Sequence, residues 1–272
     1  MTNQDPTIRI DVDVTNPGQF FACCGLLELA DRLWPGAQGW FGNSDFNLRT
    51  NGTLREILFR LTRNAPRQLE KVCGDIPVKP IIAPLEFELD DGGPRALVID
   101  FWMRVDLVKG KVQAVSNPPW NFWSGQQTPI RIWLPLRNAL QGIIAKHSDE
   151  QLVRLFTLRS PLKGRFGFDS LAAWNALDLG FSPNDQDMAV SSSPASELLS
   201  AIGLQRFRPL VSPDRSIISY ATWSVPASVL VAPTMACLAV FGRGTRYELP
   251  VISRGQYAAL GHAEPKQGVS HE

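Results

Sequence analysis

Four tryptophans, Trp102, Trp120, Trp123 and Trp133, fall within residues 101–133 beside Arg104, Lys109, Lys111 and Arg131. Flat aromatic faces can stack on unpaired bases while cations meet phosphates, each stacked base contributing about 1–3 kcal/mol. The competing reading is core packing with solvated charge, and it is the stronger one for Trp102 and Trp133, which sit at strand and helix positions. Trp120 and Trp123 lie in a proline-broken stretch, 116–129, and are the candidates for stacking. Lys109 and Lys111 flank Gly110 at the expected tip of a hairpin and are candidates for phosphate contact.

A second basic element is Arg159-Ser160-Pro161-Leu162-Lys163-Gly164-Arg165-Phe166-Gly167-Phe168. A glycine-bearing basic loop lets backbone N–H groups and cations approach a phosphate together, so Arg159, Lys163 and Arg165 join the nucleic-acid candidates. No fixed phosphate-loop spacing is present, and an ordinary surface loop fits equally. Arg206, Arg208 and Arg215 make a further basic group, and Arg243-Gly244-Thr245-Arg246 another; either can pair with acids of the same chain instead of an outside partner.

Catalytic chemistry has thinner support. Asp11 and Asp13 stand two apart on an expected strand and point the same way, a spacing that could hold a divalent cation, but a solvated strand face explains them as well. The histidines are His147, His262 and His271, without zinc-type spacing, and no serine or cysteine sits in a nucleophile elbow. We therefore assign no catalytic residue, no metal ligand and no cofactor. A metal-dependent nuclease using Asp11, Asp13 or Asp169 stays as a rival reading. Cys23, Cys24, Cys73 and Cys237 follow no C-x-x-C spacing and read as reduced, buried thiols.

The elements that must position these residues follow from periodicity. Ile8, Ile10, Val12 and Val14 alternate with polar residues as a strand does, and Asn16-Pro17-Gly18-Gln19 then supplies an N-cap, a proline at the first helical position and a glutamine placed to reach back. Phe20, Cys24, Leu27, Ala30 and Trp34 share a helical face. A strand is expected around Trp40–Arg49, and Thr53-Leu54-Arg55-Glu56 is a capping box opening a second helix. Leu85–Leu89 and Leu97–Met103 alternate around a turn, and Val105–Val108 with Val112–Val115 make a second hairpin. Leu136–Ile144 marks a helix, Ser148 with Gln151 caps the next, and Asp169–Leu177 reads as a short one. Ser182–Ser193 is a polar stretch expected to be mobile, Ser193-Pro194 starts a helix that Gly203 can stop, and 217–225, 228–231, 236–241 and 248–252 look like short strands.

The composition, 44% hydrophobic and 19% charged over 272 residues, is that of a globular chain. The net charge of +1 conceals segregation: residues 1–100 hold 10 basic and 14 acidic groups, 101–168 hold 10 and 3, 169–200 hold none and 5, and 201–272 hold 7 and 4. A basic middle segment concentrates polyanions even on a neutral protein. The first residues carry no leader pattern and no window approaches a membrane span, so a cytoplasmic protein is expected. The simplest organisation is one α+β domain over 1–258, an antiparallel sheet with helices, and a flexible tail over 259–272.

Three stretches, Asn16–Ala30 (NPGQFFACCGLLELA), Trp123–Pro129 (WSGQQTP) and Gly164–Ser170 (GRFGFDS), together resemble a family of CRISPR-associated proteins of subtype I-U, also called I-G, regarded as large-subunit-like components of the interference complex. The likeness runs from about residue 8 to 252. It implies a non-catalytic subunit of an RNA-guided complex that binds guide RNA, target DNA or neighbouring subunits, with cleavage left to a separate helicase-nuclease. It also implies an RRM-like (ferredoxin-like) βαββαβ core with insertions, compatible with the β-α-β opening, although the aromatic signature of a free-standing RRM is absent. Phosphate contacts in such a subunit would position the nucleic acid, since guide pairing supplies the sequence specificity. A purely structural subunit that touches only protein is the other rival.

Overall fold

A computed structural model describes residues 5–72, 75–89, 96–116, 118–123, 127–172, 189–238, 244–254 and 257–266. The chain is α+β, with small antiparallel sheets packed with helices. Strand β1 (Ile8–Asp11) buries Ile8 and Ile10 and exposes the residues between, as its alternation requires. Helix α1 (Pro17–Leu33) starts where expected, with the Asn16 side chain accepting from the Gly18 N–H. It is buried on every side from Pro17 to Ala30, so it is a central helix and not a surface one.

The single strand expected around 40–49 is a hairpin, β2 (Gln38–Phe41) and β3 (Asp45–Arg49). Glycine and asparagine at 42 and 43 break the apolar run, a turn signal that the flanking Phe41 and Phe46 conceal. Helix α2 (Leu54–Arg63) carries the reciprocal capping box between Thr53 and Glu56. The sheet order β1-β3-β2 makes β1-α1-β2-β3 a split β-α-β unit, which is compatible with the expected ferredoxin-like core but does not complete it. The fourth strand of this sheet, however, is β13 (Ala227–Ser228), which pairs with β2 and not with β1. Residues from late in the chain thus complete a sheet begun by its first residues.

Between these lie β4 (Arg67–Gln68), β5 (Leu85–Phe87) and β6 (Leu97–Ile99) in one small sheet. The ribbon of β7 (Met103–Val108) and β8 (Lys111–Ser116) comes next and, among the described residues, pairs with no other strand. Helices α3 (Pro129–Lys146) and α4 (Asp149–Leu152) follow, then β9 (Ser160–Leu162). The helix expected over 169–177 is a 3-10 turn at Ser170–Ala172; 173–177 lie outside the described residues. The mobile stretch expected to reach Ser193 is ordered at its end, where β10 (Val190–Ser192) pairs with β9; 182–188 fall outside the described residues.

Helix α5 (Pro194–Arg206) passes through Gly203 instead of stopping there, and Gly203 has another use. Helices α1 and α5 cross so closely that a Cβ on Gly25 would collide with the Leu199 carbonyl oxygen, and one on Gly203 with the Phe21 carbonyl oxygen. Only hydrogen side chains allow that approach. The contacts are reciprocal, each glycine meeting the carbonyl four residues before the other, so the helices are related by a local two-fold. Element order repeats as well: β1-α1-β2-β3-α2 is echoed by β10-α5-β11 (Leu210–Val211)-β12 (Ile217–Ala221), with α6 (Ala232–Leu238) after β13. The strand expected over 236–241 is helical to Leu238, because Pro233 at the first turn and the small Ala232 and Ala236 suit a helix start; the rest lies outside the described residues.

Of the tail expected over 259–272, residues 259–266 are ordered, which corrects that part; 267–272 lie outside the described residues. Strands β14 (Arg246–Arg254), β15 (Tyr257–Leu260) and β16 (Glu264–Lys266) form one set, and the Ala263 N–H donates to the Thr15 carbonyl at 2.8 Å. Leu260 and Ala263 are buried, which a two-residue apolar spacing among glycine, histidine and alanine did not advertise. A contiguous apolar cluster links both central helices to the surrounding sheets, with the Tyr220 ring stacked on Phe20 at 4.1 Å. Among the described residues no helix is long and apolar enough to cross a membrane.

Candidate nucleic-acid interface

The aromatic candidates are core residues. Trp120 and Trp123 are each only 6% exposed. Trp123 stands edge-on to Trp102 and Phe166, both at 5.4 Å between ring centroids, and its indole N–H donates to the Ile81 carbonyl at 3.0 Å. Trp120 lies against Phe101. Neither offers a face to a base. The surrounding prolines mark an irregular backbone, but irregular backbone can still drape large rings over a core, and at these two positions burying the ring outweighed loop exposure. Trp102 and Trp133 are fully buried, as read.

The glycine-bearing loop does cradle an anion, but the anion belongs to the chain. Gly167, Phe168 and Asp169 donate their backbone N–H groups to the two carboxylate oxygens of Glu197 at 2.8, 3.1 and 3.0 Å. Gly167 adopts φ 94°, a left-handed conformation that glycine takes without penalty and that turns these donors the same way. Glu197 reaches them from the first turns of α5, and burial pushes its carboxyl above the usual carboxylate range. The Arg165 guanidinium beside it is lowered by burial and held up by the charges of Glu197 and Asp169, and its Nη2 donates to the Ala172 carbonyl at 3.1 Å.

Asp169 closes the network. One carboxylate oxygen accepts from the Asn16 amide at 2.9 Å and from the Leu171 N–H at 3.2 Å; the other accepts from the Ser193 N–H at 3.3 Å. Arg159 Nη1 stands 3.1 Å from that second oxygen as an ion pair off the hydrogen-bond axis. Ser170 N–H in turn donates to the Asn16 oxygen at 3.3 Å. The N-cap of α1, the GRFGFDS loop and the N-cap of α5 are thus tied by one set of polar bonds. Gly18 belongs to the same junction, since a Cβ there would strike the backbone of Phe168 and Asp169. Two of the three stretches that carried the family resemblance meet here, and their role is to hold the fold. In the third, residues 124–126 lie outside the described residues.

Arg159 and Arg165 are therefore corrected: Arg159 is paired with Asp169, and Arg165 is held inside the protein beside the charges of Glu197 and Asp169, with its Nη2 on the Ala172 carbonyl. The sequence signal that could have found this is Glu197 itself, an acid among the apolar and small residues of 194–204. A second buried acid went unread. Glu28 on α1 accepts from Arg32 one turn on, at 2.8 Å, and from Arg206 on α5, at 2.7 Å, so one member of the third basic group is also consumed internally. The aspartates of the nuclease reading are engaged too. Asp11 pairs with Arg154 at 3.6 Å, Asp13 accepts from the Thr15 N–H and hydroxyl, and Asp169 is in the network above. Among the described residues no group of three histidine, cysteine or acidic side chains could hold a metal.

What stays at the surface is the ribbon. Its six paired positions, Met103–Ser116 to Val108–Lys111, span roughly 20 Å at the usual rise. Lys109 and Gly110 form its two-residue loop, both at positive φ, 51° and 75°. That is the geometry of a turn whose twist matches the strands and whose first position asparagine, aspartate or glycine usually fills. Lys109 and Lys111 are exposed and make no ion pair among the described residues, while Arg104 is bound to Asp106 at 2.6 Å. One face of the ribbon is apolar: Val105 opposes Ala114, and Leu107, 73% exposed, opposes Val112. Lys163 is exposed beyond β9, and Arg131 and Lys146 are exposed at the two ends of α3. Compared with protein-family models and with curated proteins, the chain matches none of them.

Proposed function

We propose that this chain is a non-catalytic, cytoplasmic subunit of a type I CRISPR RNA-guided interference complex. In this reading it contacts the sugar-phosphate backbone of guide RNA or target DNA and packs against neighbouring subunits. The observation that carries the nucleic-acid part is the ribbon tip, where Lys109 and Lys111 are exposed and make no ion pair among the described residues. Phosphate contact by such cations releases condensed counterions, so it leaves a signature in the salt dependence of binding. The family part rests on the three motif stretches, two of which, Asn16–Ala30 and Gly164–Ser170, meet at a buried junction that suits a subunit selected for its shape.

The experiment is co-expression with the proteins encoded beside it, sequencing of the RNA that co-purifies, and titration of the complex with target DNA across a range of salt. Changing Lys109 and Lys111 together to glutamate lowers the slope of log affinity against log salt by about 2, one for each lost phosphate contact. An unchanged slope removes the ribbon from the interface. A purely structural subunit is the second reading, favoured by the exposed Leu107–Val112 pair. It predicts that the lysine changes leave nucleic-acid affinity alone while Leu107→Asp releases the chain from its partners.

A further inference from the structure

The hairpin joining β11 and β12 repeats, in a different turn, what is unusual about the ribbon tip. Its loop reads Ser212-Pro213-Asp214-Arg215-Ser216. The Arg215 N–H donates to the Ser212 carbonyl at 2.9 Å, which closes a four-residue turn with proline at its second position and aspartate at its third. The fourth residue of such a hairpin turn must swing into the left-handed region so that the strands can resume pairing, and glycine is the residue that does so freely. Here that position is held by Arg215, at φ 61°.

Nothing among the described residues accounts for an arginine there. Arg215 is exposed and makes no ion pair or side-chain hydrogen bond among the described residues. The loop beneath it is fixed. Asp214 accepts from the Ser216 N–H at 3.2 Å and from the Ser216 hydroxyl at 2.7 Å, the Ser212 hydroxyl also donates to it, and Ile217 N–H donates to the Ser212 oxygen at 3.0 Å. These bonds hold the Asp214 carboxyl down at about 2, so it stays ionised as the staple of the turn. The guanidinium is thus presented from a rigid support, with Arg208 exposed just before β11 as a second cation.

Among the described residues, the two non-glycine positions at positive φ are Lys109 and Arg215. Both are cations, both stand at hairpin ends, and both occupy sites where turn chemistry asks for glycine or asparagine. Left-handed backbone is unfavourable for long side chains, so holding a cation at both positions points to an anionic partner outside the chain. We infer that Arg215 is a second phosphate-contacting residue and that the β11–β12 tip grips the backbone of a nucleic acid as the ribbon tip does. The guanidinium suits this, because its planar fork donates two parallel hydrogen bonds to phosphate oxygens.

This inference rests on the reading of the chain as a nucleic-acid-binding subunit, and the test separates the two. The full-length chain is titrated by fluorescence anisotropy with a single-stranded RNA and with a duplex DNA of the same length, at several salt concentrations. Three proteins are compared: wild type, Arg215→Asn, and the Lys109→Asn, Lys111→Asn pair. Asparagine enters the left-handed region more readily than arginine, so R215N keeps or raises the melting temperature while the slope of log affinity against log salt falls by about 1 on whichever probe the tip contacts. A lower melting temperature makes Arg215 a structural residue and overturns the inference. An unchanged slope for R215N, with a reduced slope for the lysine pair, overturns it too and leaves the functional reading standing. If wild type binds neither probe, both fall. If R215N binds both probes normally but is lost from co-purification with neighbouring subunits, the tip is a protein contact and the phosphate assignment is wrong.

Discussion

A carboxylate shut away from water must find its compensation in the protein, and Glu197 finds it in three consecutive backbone N–H groups and the charge of Arg165. Removing the acid leaves those donors buried without an acceptor, so Glu197→Ala costs about 3 kcal/mol or more of unfolding free energy. Glu197→Gln separates charge from shape. Burial holds the folded-state value of Glu197 above its ordinary 4.5, so the folded protein binds this proton more tightly than the unfolded chain. The stability tied to the protonated form is complete below the unfolded value and is lost as pH rises through the folded one. Glutamine carries no proton to lose. Urea unfolding at a series of pH values from about 4 upward should therefore show wild type losing stability relative to the glutamine variant as pH increases. Parallel profiles would mean that the carboxylate is not perturbed by its burial.

At the scale of elements, the molecule turns on the crossing of α1 and α5, whose geometry is set by two glycines. Gly203→Ala forces a methyl group into the Phe21 carbonyl and pushes the helices apart, a strain of roughly 1–3 kcal/mol or somewhat more. Because Gly25 meets α5 at the same crossing, adding Gly25→Ala costs less in that background than in wild type, and a double-mutant cycle by thermal unfolding measures the difference. Additive losses would show that the two contacts are independent. Capping boxes, N-caps and hairpins such as Thr53–Glu56, Ser148–Gln151 and 103–116 were legible because a few adjacent residues dictate them. The passage of α5 through Gly203 was not, since a glycine that stops a helix and one that admits another helix look alike from one side. Arg159 and Arg165 were legible as a loop built to meet an anion, yet the anion that the loop cradles, Glu197, arrives from α5 through tertiary contact. Trp120 and Trp123 misled for the same reason: prolines nearby set the backbone, while distant rings decide the burial.

For the molecule as a whole, stability is distributed unevenly, and the unevenness coincides with the proposed interface. The helices α1 and α5 are buried on all sides and bound at their N-caps through Asn16, Asp169 and Ser193. Among the described residues the ribbon's strands pair with no other strand, and its outer face holds Leu107 and Val112 in water. A two-stranded ribbon alone is marginal in stability, whereas burial and satisfied polar bonds let a core helix open only with global unfolding. Native-state hydrogen exchange should accordingly find the amides of 20–30 and 197–204 exchanging near the global limit and those of 104–115 many times faster. The basic excess of residues 101–168 gives this contrast its meaning: Arg104 and Arg159 are paired with internal acids and Arg165 is buried beside Glu197, whereas the lysines of the ribbon stand exposed on a segment expected to open easily. A segment of that kind is ordered by what it binds, so nucleic acid or a neighbouring subunit should slow exchange at 104–115 while leaving the central helices unchanged. Protection that rises equally across the molecule would instead report general stabilisation by a ligand bound elsewhere, and exchange in the free ribbon as slow as in α1 would show that the ribbon is already held.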